Sequence, residues 1–307
     1  MVRVYDLVMT HKLDADDWFI HQIQQRAAEA RLNFFLVEPL WVEGFYDALL
    51  RGKVWARVLL NMHSEHHQPD EIFHRLVRLA AERQVFVIDP PDRALAAFDK
   101  ARLHSRLVGA GFQVPHSVIV RHAEVPGFQL TETDRTALGT PFVIKPALGY
   151  GRRGLVLDAL SEQDLTRSAA AWGPGDYLLQ RRMVPRMVDG WPAYFRVYFA
   201  FGSVWCCWWN CYSDQYRLVT PAEFELLHLR PLEQIVRRLA ALTEMNFFST
   251  EIAVTEPGEF VVIDYVNDQC HMLSQSASPQ QGVPDDLVTA IARRLVEAAR
   301  DIAAHRR

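Results

Sequence analysis

The stretch Phe142-Val-Ile-Lys-Pro-Ala-Leu-Gly-Tyr-Gly-Arg-Arg-Gly154 decides how this chain is read. Phe142, Val143 and Ile144 form a short apolar run, which predicts a buried strand ending on Lys145. Gly149, Gly151 and Gly154 follow, with Arg152 and Arg153 between the last pair, and then a second apolar run, Leu155-Val-Leu157. Two strands joined by a glycine-rich, cation-bearing loop make a flap whose N–H groups can close over a polyanion. A lysine at its base can set a point charge on a phosphate. A surface hairpin with a basic turn would read the same way, and this segment alone leaves both readings open. It matches neither GxxxxGK[ST] nor a GxGxxG opening a helix.

Outward from the flap, the first 90 residues alternate strand and helix. Strands are predicted at 4–9, 33–37, 56–60 and 85–88. Helices are predicted at 15–31, where Asp14, Asp16 and Asp17 mark the start, at 43–52, and from Pro69-Asp70 to about Arg83. Short links between them predict βαβ units and a largely parallel sheet, ending at Pro90-Pro91. Beyond it, one helix is expected from Ala94 to Gly111, an extended run at 114–120, a loop at 121–140 and a helix near 161–172. A short strand at 177–180 precedes a hairpin over 193–211 turning at Phe201-Gly-Ser203. A helix at 221–243, a second hairpin turning at Glu256-Pro-Gly258 and a helical tail from Asp285 complete the chain.

Composition bounds the function. The 307 residues are 50% apolar and 23% charged, ordinary for a globular enzyme of more than one subdomain. A net charge of −4 argues against a general nucleic-acid surface. Cys206, Cys207, Cys211 and Cys270 form no CxxC pair, so a reducing cytoplasm is expected. The N-terminus does not have a signal-peptide pattern, and no apolar stretch reaches the ~20 residues of a membrane span. His63, His66 and His67 look like a metal cluster, but their loop position favours a substrate-facing or plain polar loop.

Several further pieces stand in a fixed order around the flap. Upstream are Lys100 on a helix and the step Gly111-Phe-Gln-Val-Pro-His116 into a strand. Downstream are Gln180 at a strand end, Arg196 opening a strand pair and the acidic strand end Val262-Ile-Asp-Tyr-Val-Asn-Asp268. In this order the chain resembles the ATP-grasp superfamily over nearly its whole length. The resemblance implies an α/β fold built of α+β lobes: a Rossmann-like pre-ATP-grasp domain at 1–93, a lobe with the glycine flap at 94–175, and a lobe with the metal site at 176–307.

The same resemblance assigns roles. Lys100 and Lys145 would meet the phosphates of ATP, and Gly149, Tyr150, Gly151 and Gly154 would form the lid. Leu178-Leu-Gln-Arg-Arg-Met183 is similar to the inter-lobe hinge, which makes Gln180, Arg181 and Met183 nucleotide contacts. The family usually has an acid after the glutamine; Arg181 and Arg182 stand there instead, leaving ribose recognition without its usual group. Arg196 would join Lys145 as a catalytic residue aimed at the phosphates or an acyl phosphate, while Tyr194 replaces the family's acid in that strand.

Glu251, Asp264 and Asn267 would hold Mg2+, with Mn2+ able to stand in. The spacing Asp264-Tyr-Val-Asn267 is one residue longer than the family's, so a bulge or the strand end must realign the two side chains, or Asp268 must substitute. Arg152, Arg153, Arg217, His271 and Ser274 are the candidate substrate contacts. The implied reaction activates a carboxylate as an acyl phosphate and joins it to an amine, releasing ADP and phosphate. Its substrates would be small molecules, amino acids or peptides, and homodimers are common in the family. A small-molecule kinase using the arginine set, and a non-catalytic nucleotide-binding regulator, are the alternatives.

Overall fold

The computed structural model describes residues 2–11, 17–63 and 68–306. In chain order the elements begin with β1 (Arg3–Thr10), α1 (Asp17–Glu29), β2 (Phe34–Val37), α2 (Val42–Leu50), β3 (Val54–Asn61), α3 (Ile72–Glu82) and β4 (Phe86–Ile88). Next come α4 (Pro91–Phe98), α5 (Lys100–Gly109), β5 (Ser117–Val120), α6 (Glu132–Leu138), β6 (Phe142–Pro146), β7 (Val156–Ala159), α7 (Asp164–Trp172) and β8 (Tyr177–Arg181). The remainder is β9 (Met187–Val188), β10 (Trp191–Pro192), β11 (Tyr194–Ala200), β12 (Ser203–Trp209), β13 (Tyr216–Leu218), α8 (Pro221–Leu226), α9 (Arg230–Thr243), β14 (Phe247–Val254), β15 (Phe260–Asn267) and α10 (Asp285–His305). Asp14, Asp16, His66 and His67 lie outside the described residues.

The chain divides into two compact units. The first gathers residues up to Leu95, Phe195–Ser249 and Asn267–Arg307; the second gathers Ala96–Tyr194 and Thr250–Val266.

In the first unit β2, β1, β3 and β4 lie side by side in that order and run parallel, with Val8 opposite Leu59 and Leu60 opposite Ile88. Tyr5, Val8, Leu59, Phe45, Phe73 and Val77 fill one face of this sheet. α10 covers the region around β1 and α1, because Leu287, Val288, Ile291, Leu295, Val296 and Ala299 recur at three- and four-residue intervals and are all buried. Each fully buried leucine of that stripe contributes roughly 1.5–3 kcal/mol. Further along, β13, β12, β11 and the first residues of β14 are successive neighbours. The β11–β12 hairpin turns on Phe201 and Gly202, both left-handed (φ 45 and 86), which matches the twist of the strands it joins.

The second unit holds an antiparallel sheet in the order β5-β8-β6-β7. Val120, Phe142, Ile144, Leu165, Tyr177 and Leu179 form its core. The rest of β14 and nearly all of β15 belong to this unit as well, and the Val262 N–H donates to the Gln113 carbonyl at 2.9 Å.

Four local expectations change. The single helix expected over 94–111 is two helices, because Asp99 turns its side chain onto the Ala101 and Arg102 N–H groups and caps α5. Pro91 opens α4 instead of marking a break, which suits a residue without an N–H in a first helical turn. The 121–140 loop contains α6, capped by Thr131 on the Asp134 N–H. The helix at 221–243 splits into α8, started by a Thr220–Glu223 capping box, and α9.

Candidate active site

The flap is a strand–loop–strand device in the second unit. β6 and β7 pair antiparallel, with Ile144 opposite Val156. Its loop is fixed at both ends. At the first, the Lys100 N–H donates to the Ala147 carbonyl at 2.9 Å, and Lys100 Nζ donates to the Gly149 carbonyl at 2.8 Å. At the second, Ser168 Oγ on α7 donates to the Gly154 carbonyl. Gly154 has φ 72, and a Cβ there would lie 2.7 Å from Trp172 Cβ and 2.8 Å from Pro146 Cγ, so no other residue fits without displacing backbone or ring. Between the anchors, Tyr150, Gly151, Arg152 and Arg153 are exposed. Arg153 lies over the Trp172 ring at 5.6 Å and near Tyr150 at 6.0 Å, so its guanidinium is part of an aromatic stack on the flap.

Beneath the loop the structure brings together Lys100, Lys145, Glu251 and Asp264. Lys145 is the penultimate residue of β6 and is 8% exposed; its Nζ donates to the Ile263 carbonyl at 2.9 Å. Burial pushes this ammonium down to about 8; Asp264 and Glu251 pull it back up, and Lys100 pushes it further down. Lys100, the first residue of α5, is 6% exposed, and its Nζ lies 3.8 Å from Asp264 Oδ1. Glu251 on β14 is buried and accepts a hydrogen bond from the Tyr194 hydroxyl at 3.0 Å. Thr250 Oγ1 donates to the Asp264 carbonyl at 3.0 Å, tying the two acidic strands of the hairpin. Lys100, Lys145 and Glu251 are buried and Asp264 is half-buried, and the two cations and two anions compensate one another, which lowers the cost of taking them out of water.

Among the described residues, no group of three or more His, Cys, Asp or Glu side chains is gathered to hold a metal ion. Two carboxylates on neighbouring strands nevertheless fit magnesium, a hard cation that keeps waters and takes phosphate oxygens to complete its shell. Asn267 ends β15 and belongs to the first unit. Its Nδ2 is buried with no hydrogen-bond partner among the described residues, and its carbonyl accepts from Cys270 Sγ at 3.6 Å.

Gln180 sits at the end of β8, between β5 and β6, with its backbone opposite Ser117 and Val143. It is 2% exposed, and its Nε2 donates to Ser117 Oγ at 3.2 Å and to the Tyr265 hydroxyl at 3.1 Å. The Arg181 N–H donates to the His116 carbonyl, Arg181 and Arg182 are exposed, and Met183 is half-buried.

Other candidates lie in the first unit. Arg196 is 9% exposed on β11, opposite Cys207, with its guanidinium 5.0 Å from the Trp209 ring. Arg217 pairs with Glu223 at 2.6 Å and lies 4.6 Å from the Trp208 ring. His271 Nε2 is 3.3 Å from the Gln281 carbonyl, and Ser274 is buried with its Oγ 3.3 Å from Ser276 Oγ.

Two side chains at this site, His104 and Tyr265, were not singled out from the sequence, and Tyr194 entered only as the residue replacing an acid. His104 stands one helical turn after Lys100, Tyr265 directly follows Asp264, and Tyr194 lies two residues before Arg196. The i, i+4 relation of Lys100 and His104 was the available signal for the first. Nothing local marks the tyrosines, whose hydroxyl partners are distant in sequence.

No family model matches the sequence, and no curated protein matches it. The fold, by contrast, recurs among solved structures. D-alanine–D-alanine ligase from Bacillus anthracis complexed with ATP superposes with a TM-score of 0.66 at 11% identity, covering 97% or more of both (99% of this chain and 98% of that one). The ATP-grasp ligase PsnB, complexed with its minimal precursor, Mg and ADP, gives 0.63 at 13% identity, covering 97% of this chain and 98% of that one. The macrocyclase MdnC from Microcystis aeruginosa MRC, bound with its precursor peptide MdnA, gives 0.60 at 13%, covering 96% and 100%. From end to end, the fold of this chain is the ATP-grasp fold.

Proposed function

We propose that this chain is an ATP-dependent carboxylate–amine ligase. One observation carries the reading: buried Lys100, Lys145 and Glu251 gather around the half-buried Asp264 beneath a glycine loop, in a chain with the fold of ATP-grasp ligases. The two lysines would bind the phosphates of ATP. Glu251 and Asp264 would hold Mg2+, with Asn267 as a further oxygen donor, and the metal when bound supplies charge neutralisation on the phosphates. Tyr194 holds the Glu251 carboxylate in place, and the loop over Lys100 would keep water from an activated acyl group.

In the proposed reaction a substrate carboxylate oxygen takes the γ-phosphoryl group and ADP leaves. An amine nitrogen then attacks the acyl carbon, expels phosphate and gives up a proton. This chemistry needs positioning and charge more than a protein nucleophile, and Arg196 would steady the transferring phosphoryl or acyl phosphate group. PsnB and MdnC are described with precursor peptides and a third neighbour as a D-alanine–D-alanine ligase, so amino acids and peptides are the substrate classes to test first.

The test is ADP release by the purified chain with MgATP and a panel of carboxylates and amines. Release that requires both partners supports the ligase, release with an alcohol alone makes it a kinase, and nucleotide binding without turnover on any pair makes it a regulator. The kinase reading loses part of its basic pocket, since Arg217 is paired with Glu223 and Arg153 is stacked on Trp172.

A further inference from the structure

We propose that Tyr265 is a positioning residue that fastens the hinge strand β8 to the Lys145–Asp264 pair, so that the base end and the phosphate end of the nucleotide site are set as one body. The inference rests on the nucleotide-binding reading above and adds a residue to it. Tyr265 is the first of the two residues between Asp264 and Asn267 and is fully buried on β15. Its ring lies 5.6 Å from Lys145 Nζ and stacks at 5.9 Å and 27° on His104. Its hydroxyl is 2.7 Å from His104 Nδ1 and 3.1 Å from Gln180 Nε2.

The hydrogen bonds fit a chain of donors that starts at the Gln180 amide. Gln180 Nε2 can only donate, and it has two hydrogens, which go to Ser117 Oγ and to the Tyr265 oxygen. The Tyr265 oxygen therefore accepts from Gln180, and we assign its own proton to His104 Nδ1, 2.7 Å away. This requires a neutral imidazole with its proton on Nε2. Burial, with help from Lys145 and His116, holds His104 down to about 4, so the imidazole is neutral at physiological pH. Ser117 Oγ donates to the Pro115 carbonyl at 3.0 Å and is also a hydrogen-bond partner of the Tyr265 hydroxyl.

The consequence is structural continuity across four elements. α5 brings both Lys100 and His104, β8 brings Gln180, β6 brings Lys145, and β15 brings Asp264 and Tyr265. The hydroxyl holds β8, while the ring underlies the ammonium. Gln180 is thus turned inward on Tyr265, with neither amide hydrogen left for a ribose.

Two substitutions separate the two functions of the side chain. Tyr265→Phe keeps the ring under Lys145 and removes the hydroxyl tie. It is expected to raise Kd for a fluorescent ADP analogue with magnesium, and KM for ATP, about 5- to 20-fold while kcat changes less than threefold. Tyr265→Leu also removes the ring, and kcat should then fall about tenfold or more. His104→Leu should match Tyr265→Phe, the double variant should be no worse than either single one, and His104→Asn, whose amide oxygen can accept the same proton, should recover most of the affinity. Unchanged affinity in Tyr265→Phe, or effects that multiply in the double variant, would overturn the inference while leaving the ligase reading intact. A wild-type chain that binds no nucleotide would overturn both. If the Tyr265→Leu chain does not fold, the Tyr265→Phe and His104 series decides alone.

Discussion

Lys145 shows what the sequence can say about one residue. A charge ending an apolar strand needs a partner. The structure supplies the partners: the Ile263 carbonyl, Asp264, Glu251 and the Tyr265 ring. All lie more than a hundred residues further along, out of reach of any local pattern. Lys145→Ala is expected to cut ADP formation at least ~100-fold, the usual loss on removing one preorganised charge from a phosphoryl-transfer site. Its thermal melt should stay within a few degrees of the parent, and an active, folded variant would sink the phosphate role. Tyr194 acts at one remove, through its hydrogen bond to Glu251. Tyr194→Phe should raise the magnesium concentration giving half-maximal ADP formation by about 10–100-fold, in line with the loss of an outer partner to a metal ligand. An unchanged magnesium titration would argue that Glu251 does not hold the metal.

At the scale of elements, the flap and the parallel β1–β4 sheet were legible because period, length and turn residues agreed. The glycine spacing predicted a loop between two strands, and β6 and β7 enclose it. Less legible were the caps. Asp99 divides what looked like one amphipathic helix, and the signal, an aspartate one residue before the helix start, is easily absorbed into a longer apolar period. β13 was missed because a three-residue strand carries almost no periodicity; it exists through pairing with β12, where Trp209 faces Tyr216. The flap also offers a stability test. Gly154→Ala must adopt a left-handed backbone and push against Trp172 and Pro146, at a cost of roughly 2–5 kcal/mol. Calorimetry should show a melting temperature lower by about 5–15 °C. A loss below 1 °C would mean that the base of the flap yields freely.

At the scale of the molecule, each compact unit is assembled from segments far apart in the chain, a grouping set by long-range contacts that a reading along the sequence does not carry. Within the first unit, Asp89 at the end of β4 joins two such segments. Its carboxylate accepts from the Asn246 and Phe247 N–H groups and from Asn246 Nδ2, at 2.7–3.0 Å. Burial and the Asp268 carboxylate push Asp89 up to about 7 from 3.8, against the pull of those N–H donors. The folded state therefore holds the proton more tightly than the unfolded chain. The associated stability is complete below about 3.8 and is lost as pH rises through about 7, with ~4 kcal/mol as an upper bound. The melting temperature should be lower at pH 8 than at pH 6, and the difference should shrink in Asp89→Asn. An equal difference in the variant would assign the effect to another group. Among the described residues no helix is long and apolar enough to cross a membrane.

Lys100 holds the Gly149 carbonyl with the same ammonium that a phosphate would claim. If Lys100 takes the phosphate role proposed above, the loop carbonyl would compete with the nucleotide for the same ammonium. Nucleotide capture should then be a two-step exchange, with a fast encounter followed by a first-order release of the latch. Stopped-flow traces should show an observed rate that rises and levels off as nucleotide concentration rises; a strictly linear dependence would mean that no first-order release of the loop limits capture.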